Sequence, residues 1–254
     1  MNIYGLQFDI AWENREENFR RVNERLAAKN VVAGSLIVLP EMFATGFSFD
    51  ATQAIEDIGG ETDAFLSVLA KQTECFVVGG LAVRNPDGTC HNTARVFSPQ
   101  GILVTSYLKQ RPFSLGGELK HFTSGDQPFS FSWNGITVCP MICYDLRFPE
   151  LFRAAVKRFQ PELFVVIASW PVKRIHHWTR LLQARAIENQ CYVIGVNRIG
   201  KDPNHEYNGH SMIVDFHGET VESASSNDVL IEGKLDIPSL REYRTALPFL
   251  NDMR

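Results

Sequence analysis

Residues 136–150 read I-T-V-C-P-M-I-C-Y-D-L-R-F-P-E. The first seven form an apolar run of strand length, rich in Ile, Val and Thr. Cys143 ends that run. A short polar stretch follows, and Pro149 stands where the first turn of a helix accepts proline, because the N–H it lacks would have no partner there. The helix reads Pro149–Phe159, with Leu151, Phe152, Ala155, Val156 and Phe159 at three-and-four spacing. Beyond it come a strand at Phe164–Ala168, a helix at His177–Gln190 with Leu181, Ala184, Ile187 and Glu188 on one side, and a strand at Tyr192–Val196. Strands joined by helical crossovers are the signature of an α/β chain.

The amino-terminal third repeats the pattern. Strands at Ile3–Phe8, Leu36–Leu39 and Phe76–Val83 alternate with helices at Asn18–Leu26 and Thr62–Gln72, whose apolar residues Phe19, Val22, Leu26 and Phe65, Leu66, Leu69, Ala70 again keep helical spacing. Between the two halves lie strands alone: Thr93–Phe97, Ile102–Tyr107 and Phe129–Trp133, with turns at Asn85–Gly88 (N-P-D-G) and Pro99–Gly101 (P-Q-G). Ser211–Asp215 and Val229–Lys234 complete the set. The mixture predicts two mixed sheets flanked by helices, a four-layer α-β-β-α sandwich. One domain over residues 1–254, with a C-terminal arm from about residue 238, is the economical division, since no linker, low-complexity tract or internal repeat interrupts the chain.

Bulk composition narrows the function classes. Hydrophobic residues make up 44% and charged residues 21%, as in an ordinary folded protein. The formal net charge is −4 and the basic residues are dispersed, which argues against nucleic acid as a partner. No apolar run approaches the ~20 residues that span a bilayer, and the amino terminus lacks a signal-peptide layout. Five cysteines without regular spacing suggest free thiols in a reducing cytoplasm rather than a disulfide framework.

In sheets with helical crossovers, ligands bind beyond the carboxyl ends of strands. Three polar residues fall there. Glu41 follows S-L-I-V-L-P, Lys109 follows I-L-V-T-S-Y-L, and Cys143 follows I-T-V-C-P-M-I. A thiol between a strand end and a helix start, near an ammonium, is expected to titrate toward neutrality and to be a nucleophile. A carboxylate after an apolar strand must be paired or neutralised, which suits a general base. Each residue alone has a plainer reading: a buried structural cysteine, a solvated acid, a solvated lysine cap. Cys75, Cys90, Cys139 and Cys191 fit the structural reading. Cys139 and Cys143 would lie about 13 Å apart along a strand, too far to share a zinc ion. His176 with His177, and His205 with His210, read as solvent-facing rather than metal-binding. Arg185 and Glu188, three apart on a helix, read as a structural ion pair. Serine-hydrolase, zinc-protease and phosphate-loop motifs are absent.

The blocks L-P-E-M-F-A-T-G-F (39–47), Y-L-K (107–109), I-C-Y-D-L-R-F-P-E-L (142–151), S-W-P-V-K-R (169–174), L-L-Q-A-R-A-I-E-N-Q-C-Y-V-I-G-V-N-R-I-G (181–200) and Y-N-G-H-S-M-I-V-D (207–215) resemble, in order, those of the nitrilase superfamily of carbon–nitrogen hydrolases. The omega-amidase branch, which cleaves amides of short 2-oxo dicarboxylic acids, is the most similar. The resemblance implies the α-β-β-α fold, a homodimer, and catalysis without metal or organic cofactor. It implies Glu41 as base, Lys109 as oxyanion cation, Cys143 as nucleophile, and Glu118 as a second glutamate near the lysine. The backbone N–H of Tyr144 would complete the oxyanion site. Arg174 is the first candidate to bind a substrate carboxylate, Arg147 and Arg111 are alternatives, and Trp170 and Phe113 are candidate pocket walls. One departure stands out: where the branch often has a basic residue and His-Leu-Phe after the lysine, this chain has Gln110, Arg111, Pro112 and Phe113. The same triad also serves N-carbamoyl amino-acid hydrolases, aliphatic amidases and nitrilases. A catalytically silent scaffold and a thiol redox sensor are the readings from other classes.

Overall fold

The computed structural model describes residues 1–253. In chain order its main elements are β1 (Asn2–Gln7), α1 (Arg15–Ala27), β2 (Leu36–Val38), β3 (Ile55–Asp57), α2 (Glu61–Thr73), β4 (Phe76–Arg84), β5 (Cys90–Phe97), β6 (Leu103–Leu108), β7 (Phe131–Trp133) and β8 (Ile136–Ile142). They continue with α3 (Pro149–Phe159), β9 (Leu163–Ala168), α4 (Ile175–Asn189), β10 (Tyr192–Asn197), β11 (Ile199–Lys201), β12 (Glu206–Asn208), β13 (Met212–Val214), β14 (Thr220–Ser223), β15 (Val229–Lys234) and α5 (Ile237–Ala246).

One sheet runs β15-β1-β2-β4-β5-β6, with β3 paired to β4, and the other runs β14-β13-β10-β9-β8-β7. In the first, β1, β2 and β4 are parallel, and β5 reverses direction so that β6 again points as β4 does. The carboxyl ends of β2 and β6 therefore lie at the same end of the sheet. In the second sheet β8, β9 and β10 are parallel. Successive strand residues point to opposite faces, and burial follows that rule. Ile3, Leu36, Val38 and Val78 pack inward with the second sheet, while their neighbours Tyr4, Ile37, Leu39 and Val77 pack outward against Val22 and Leu26 of α1 and Leu66 and Leu69 of α2. Leu151, Phe152, Ala155 and Val156 of α3 and Trp178, Leu182 and Ala186 of α4 cover the other face of the second sheet. The result is the four-layer sandwich expected from the sequence.

Element ends moved where local chemistry overrides pattern. β5 begins at Cys90, ahead of the expected Thr93, because the N-P-D-G turn lets Cys90 pair with Arg84. The arm expected from about residue 238 contains helix α5. Its start is fixed by Asp236, whose side chain accepts the Ser239 N–H, and by proline in the first turn. The short strands β3, β11, β12 and β14 had no legible signal, since three or four residues of mixed polarity carry no periodicity.

Candidate active site

Glu41 lies three residues beyond β2 and is fully buried. Its backbone rests directly on β4 at Gly80, where a Cβ would come within 2.7 Å of the Glu41 Cα, so only glycine permits the approach. The chain then turns through Met42 at φ +46°. The Glu41 carboxylate is fixed from three directions. Oε1 accepts from Lys109 Nζ at 2.8 Å and from Asn92 Nδ2 at 2.7 Å, and Oε2 accepts the Ser169 N–H at 2.8 Å.

Lys109 follows β6 by one residue and is 1% exposed. Besides Glu41 it donates to both oxygens of Glu118, at 3.0 and 2.9 Å. Glu118 is itself fully buried and accepts from Asn92 Nδ2 at 2.9 Å and from the Phe113 N–H. Burial alone would lower the Lys109 pKa; the carboxylates of Glu118 and Glu41 outweigh it, so the net shift is upward and the amine is held as an ammonium.

Cys143 follows β8 directly, and its backbone takes the left-handed conformation at φ +47°. Such strain persists only where the surroundings over-determine it. Asp145, two residues on and buried, supplies part of that constraint through Oδ2, which accepts the Ile142 N–H at 3.0 Å. The half-buried thiol faces the Ser169 carbonyl, 3.9 Å from Sγ. The thiol does not titrate toward neutrality as the sequence suggested. Burial first, then the Glu41 carboxylate, push it well up, against the pull of the Lys109 ammonium. Two features account for this. A five-residue 3-10 turn, Cys143–Arg147, separates the thiol from α3 and its dipole, and the lysine's charge is already matched by two carboxylates.

Lys109 and Cys143 line one cavity of about 170 Å³. Its walls include Tyr144, Phe113, Trp170, Arg147 and Arg174. Arg147 stacks on the Trp170 ring at 4.8 Å and contacts His177 Nδ1 at 3.1 Å, and Arg174 lies 5.2 Å from the Phe113 ring centroid. Among the described residues neither guanidinium has a carboxylate partner. Burial and the adjacent Arg174 pull the Arg147 pKa down, as expected for two cations with no counter-charge. Arg111, the third candidate, does not line the cavity; it turns to Glu150 at 3.9 Å and to the Phe148 ring. His205 also lines the cavity instead of facing open solvent, whereas His176 and His177 are exposed.

The chain matches the carbon–nitrogen hydrolase family over residues 4–245. It is a member of that family. It is 31% identical over 250 residues to the 2-oxoglutaramate amidase of Bacillus subtilis, covering 98% of this chain and 96% of that one. It is 35% identical over 251 residues to the omega-amidase YafV of Yersinia enterocolitica, covering 97% and 94%. A superfamily protein of Xanthomonas campestris with an arsenic adduct in its active site has the same fold, with a TM-score of 0.93 at 30% identity over 100% of this chain and 97% of that one.

The hydrolase also brings residues to the site that sequence reasoning passed over. Asn92 bridges Glu41 and Glu118. It sits inside β5, where an asparagine is out of place among Ala94, Val96 and Phe97, and that anomaly was the available signal. Ser169 directly follows β9 and touches Glu41 through its N–H and Cys143 through its carbonyl. The β11–β12 hairpin contributes Asp202, Asn204, His205 and Tyr207 to the cavity wall. Asp202 is the one carboxylate among the cavity-lining residues, and it is spent internally on the N–H groups of Asn204 and His205 at 2.7 Å each and on the Tyr207 hydroxyl. Asn197 orients Trp170 by accepting its N–H at 2.7 Å and donating to its carbonyl at 3.0 Å. The Arg185–Glu188 pair forms at 3.0 Å, as expected for a structural contact.

Proposed function

We propose that this hydrolase cleaves the terminal amide of a short 2-oxo dicarboxylic acid, such as 2-oxoglutaramate, to the acid and ammonia through a thioester on Cys143. The observation that carries the reading is the cavity itself: a thiol and an ammonium at one place, and two guanidiniums without carboxylate partners in the same walls. A guanidinium binds both oxygens of a carboxylate at once, so Arg174 and Arg147 suit the end of the substrate remote from the amide. Among the described residues no free carboxylate lines the cavity to meet an ammonium, because Asp202 is already engaged. A 2-oxo acid therefore suits the site better than the corresponding 2-amino acid, whose cation would face two arginines. The cavity is below the ~300 Å³ of sites for drug-sized ligands, in keeping with a small acid.

The chemistry follows from the resting protonation states. Cys143 enters as a thiol. As sulfur attacks the carboxamide carbon, its proton passes to Glu41, held beside it by Lys109, Asn92 and Ser169. The oxyanion forms against the Lys109 ammonium and the Tyr144 N–H, which belongs to the opening turn of a 3-10 helix and has no intrahelical acceptor. Glu41 returns the proton to the departing nitrogen, ammonia leaves, and a thioester remains. Water then gives a proton to Glu41 and attacks the thioester; as the intermediate collapses the acid departs and Glu41 returns that proton to the sulfur, restoring the Cys143 thiol. Glu118 keeps Lys109 charged and aimed.

We further propose a homodimer that uses α4 and the C-terminal arm, where Ile187 and Leu247 are exposed, working in a reducing compartment such as the cytoplasm, consistent with five free thiols. The deciding experiment is ammonia release from 2-oxoglutaramate against glutamine and N-carbamoyl amino acids, with Cys143→Ala as control. Turnover of the carbamoyl compound with release of carbon dioxide, and none of the omega-amide, would replace this reading with a carbamoylase.

A further inference from the structure

Cys143 and Lys109 come from different sheets. Cys143 leaves β8 of one, and Lys109 leaves β6 at the edge of the other. At the site the Glu41 carboxylate crosses between the sheets to the Ser169 N–H, but elsewhere they meet mainly through apolar side chains, and apolar contact is not directional. It holds two layers together without fixing their register to a fraction of an ångström. A step that needs sulfur, carbonyl carbon and ammonium aligned needs that register, because a misplacement of about 1 Å can cost on the order of 100-fold in rate.

Asp145 spans the gap. Its Oδ2 accepts the N–H of Ile142, the residue before the nucleophile, at 3.0 Å. The same oxygen accepts the hydroxyl of Tyr107, two residues before Lys109, at 2.8 Å. Its Oδ1 accepts the N–H of Arg111, two residues after Lys109, at 2.8 Å. One carboxylate thus binds the strained Cys143 elbow and brackets Lys109 on both sides. Asp145 is fully buried, does not line the cavity and has no salt-bridge partner among the described residues, so it does not touch substrate. A carboxylate in that setting is costly to bury, yet an amide would not replace it. Three donors converge, two on one oxygen and one on the other. An asparagine offers one acceptor oxygen, and its NH2 would face an N–H or O–H on one side or the other.

We infer that Asp145 is a positioning residue, the clamp that sets Lys109 against Cys143 across the two sheets. The inference rests on the roles proposed above for those two residues. Asp145→Asn releases one side of the clamp, and Tyr107→Phe removes a single donor from the lysine side.

The test measures kcat and KM for ammonia release from 2-oxoglutaramate in both variants, with folding checked by circular dichroism and Cys143→Ala as a parallel control. The expected result is a kcat about 100-fold down in Asp145→Asn and about 10-fold down in Tyr107→Phe, with KM within about twofold of the parent, because the arginines that bind the carboxylate are untouched. A merely structural role would lower the melting temperature and the yield of folded protein without changing kcat per folded molecule. Folded Asp145→Asn with parental kcat, while Cys143→Ala is dead, overturns the clamp and leaves the site reading standing. Should Asp145→Asn not fold, Tyr107→Phe decides alone, and parental kcat there overturns the clamp. Ammonia release by Cys143→Ala overturns the site reading and the clamp with it.

Discussion

Replacing Glu118 by glutamine separates the two jobs that the carboxylate does at the site. In the parent, the ion cluster joined by direct hydrogen bonds is Lys109 with Glu41 and Glu118, a net of one negative charge within that cluster beside a neutral thiol. Glutamine leaves the shape almost unchanged and brings that net to zero. Glu118 uses both oxygens: Oε1 toward Asn92 and Lys109, Oε2 toward Lys109 and the Phe113 N–H. An amide cannot serve all of these, so one buried donor is left facing an NH2. An unsatisfied buried donor costs ~1–3 kcal/mol. Taking about 2 kcal/mol, and ~2–4 °C per kcal/mol for a chain of this size, the melting temperature should fall roughly 4–8 °C.

The kinetic consequences of that substitution point in opposite directions. Lys109 loses one of the two carboxylates that aim it, so transition-state stabilisation weakens and kcat should fall on the order of 100-fold, about the loss of one oxyanion donor. Glu118 is also among the charges that push the Cys143 thiol up. Removing it lowers that thiol's pKa, and alkylation of Cys143 by iodoacetamide at fixed pH should become faster than in the parent. The assay is therefore paired: steady-state ammonia release, and the rate of Cys143 carbamidomethylation followed by mass spectrometry. Slower turnover with faster alkylation supports the electrostatics described here. If both rates fall together in a folded variant, Glu118 acts through shape and the charge assignment is wrong.

Further outcomes follow from the same geometry. Arg174→Met should raise KM about 10–100-fold with little change in kcat, because a charge-assisted hydrogen bond contributes ~1.5–3 kcal/mol to binding and 1.4 kcal/mol is tenfold; a kcat effect at unchanged KM would remove it from the carboxylate subsite. Cys143→Ser should keep the fold and lose turnover by several orders of magnitude, read by ammonia release at high enzyme concentration. Burial raises the Asp145 carboxyl to about 6, against the opposing pull of Lys109 and its own hydrogen bonds. Protonation spoils an acceptor, so kcat should fall as pH drops through about 6, and this acid limb should be absent in Asp145→Asn. The stability term has the opposite sign. A carboxyl that holds its proton more tightly when folded stabilises the fold at acid pH, and that contribution is lost as pH rises from about 4 to about 6, on the order of 3 kcal/mol. Comparing urea midpoints of parent and Asp145→Asn across that range isolates the group.

Those opposite signs at Asp145 explain what a sequence reveals of such a site and what it conceals. Glu41, Lys109 and Cys143 were legible as candidates because each interrupts polarity abruptly: an apolar strand ends and an ionisable group follows, at a sheet end where ligands bind. The layers were legible for the same reason, since burial imposes a period on strands and helices. Of the supporting residues only Asn92 breaks a pattern visible from one segment, as a polar side chain at alternate spacing with Ala94 and Val96. Ser169 acts through its backbone, and Asp145 sits in plain view two residues past Cys143 with a role defined only by what the other sheet brings to it. The thiol's resting state was misread on the same account, because its ionisation depends on a carboxylate more than 100 residues away in the chain (Glu41) and on a lysine whose charge is already answered. Chemistry-bearing side chains announce themselves locally; the groups that tune them do so through space. Asp145 is the sharpest case, a carboxylate kept buried at a cost to stability where an asparagine would be cheaper to bury, and that cost has a physical reason only if three donors from two sheets must be held by one side chain.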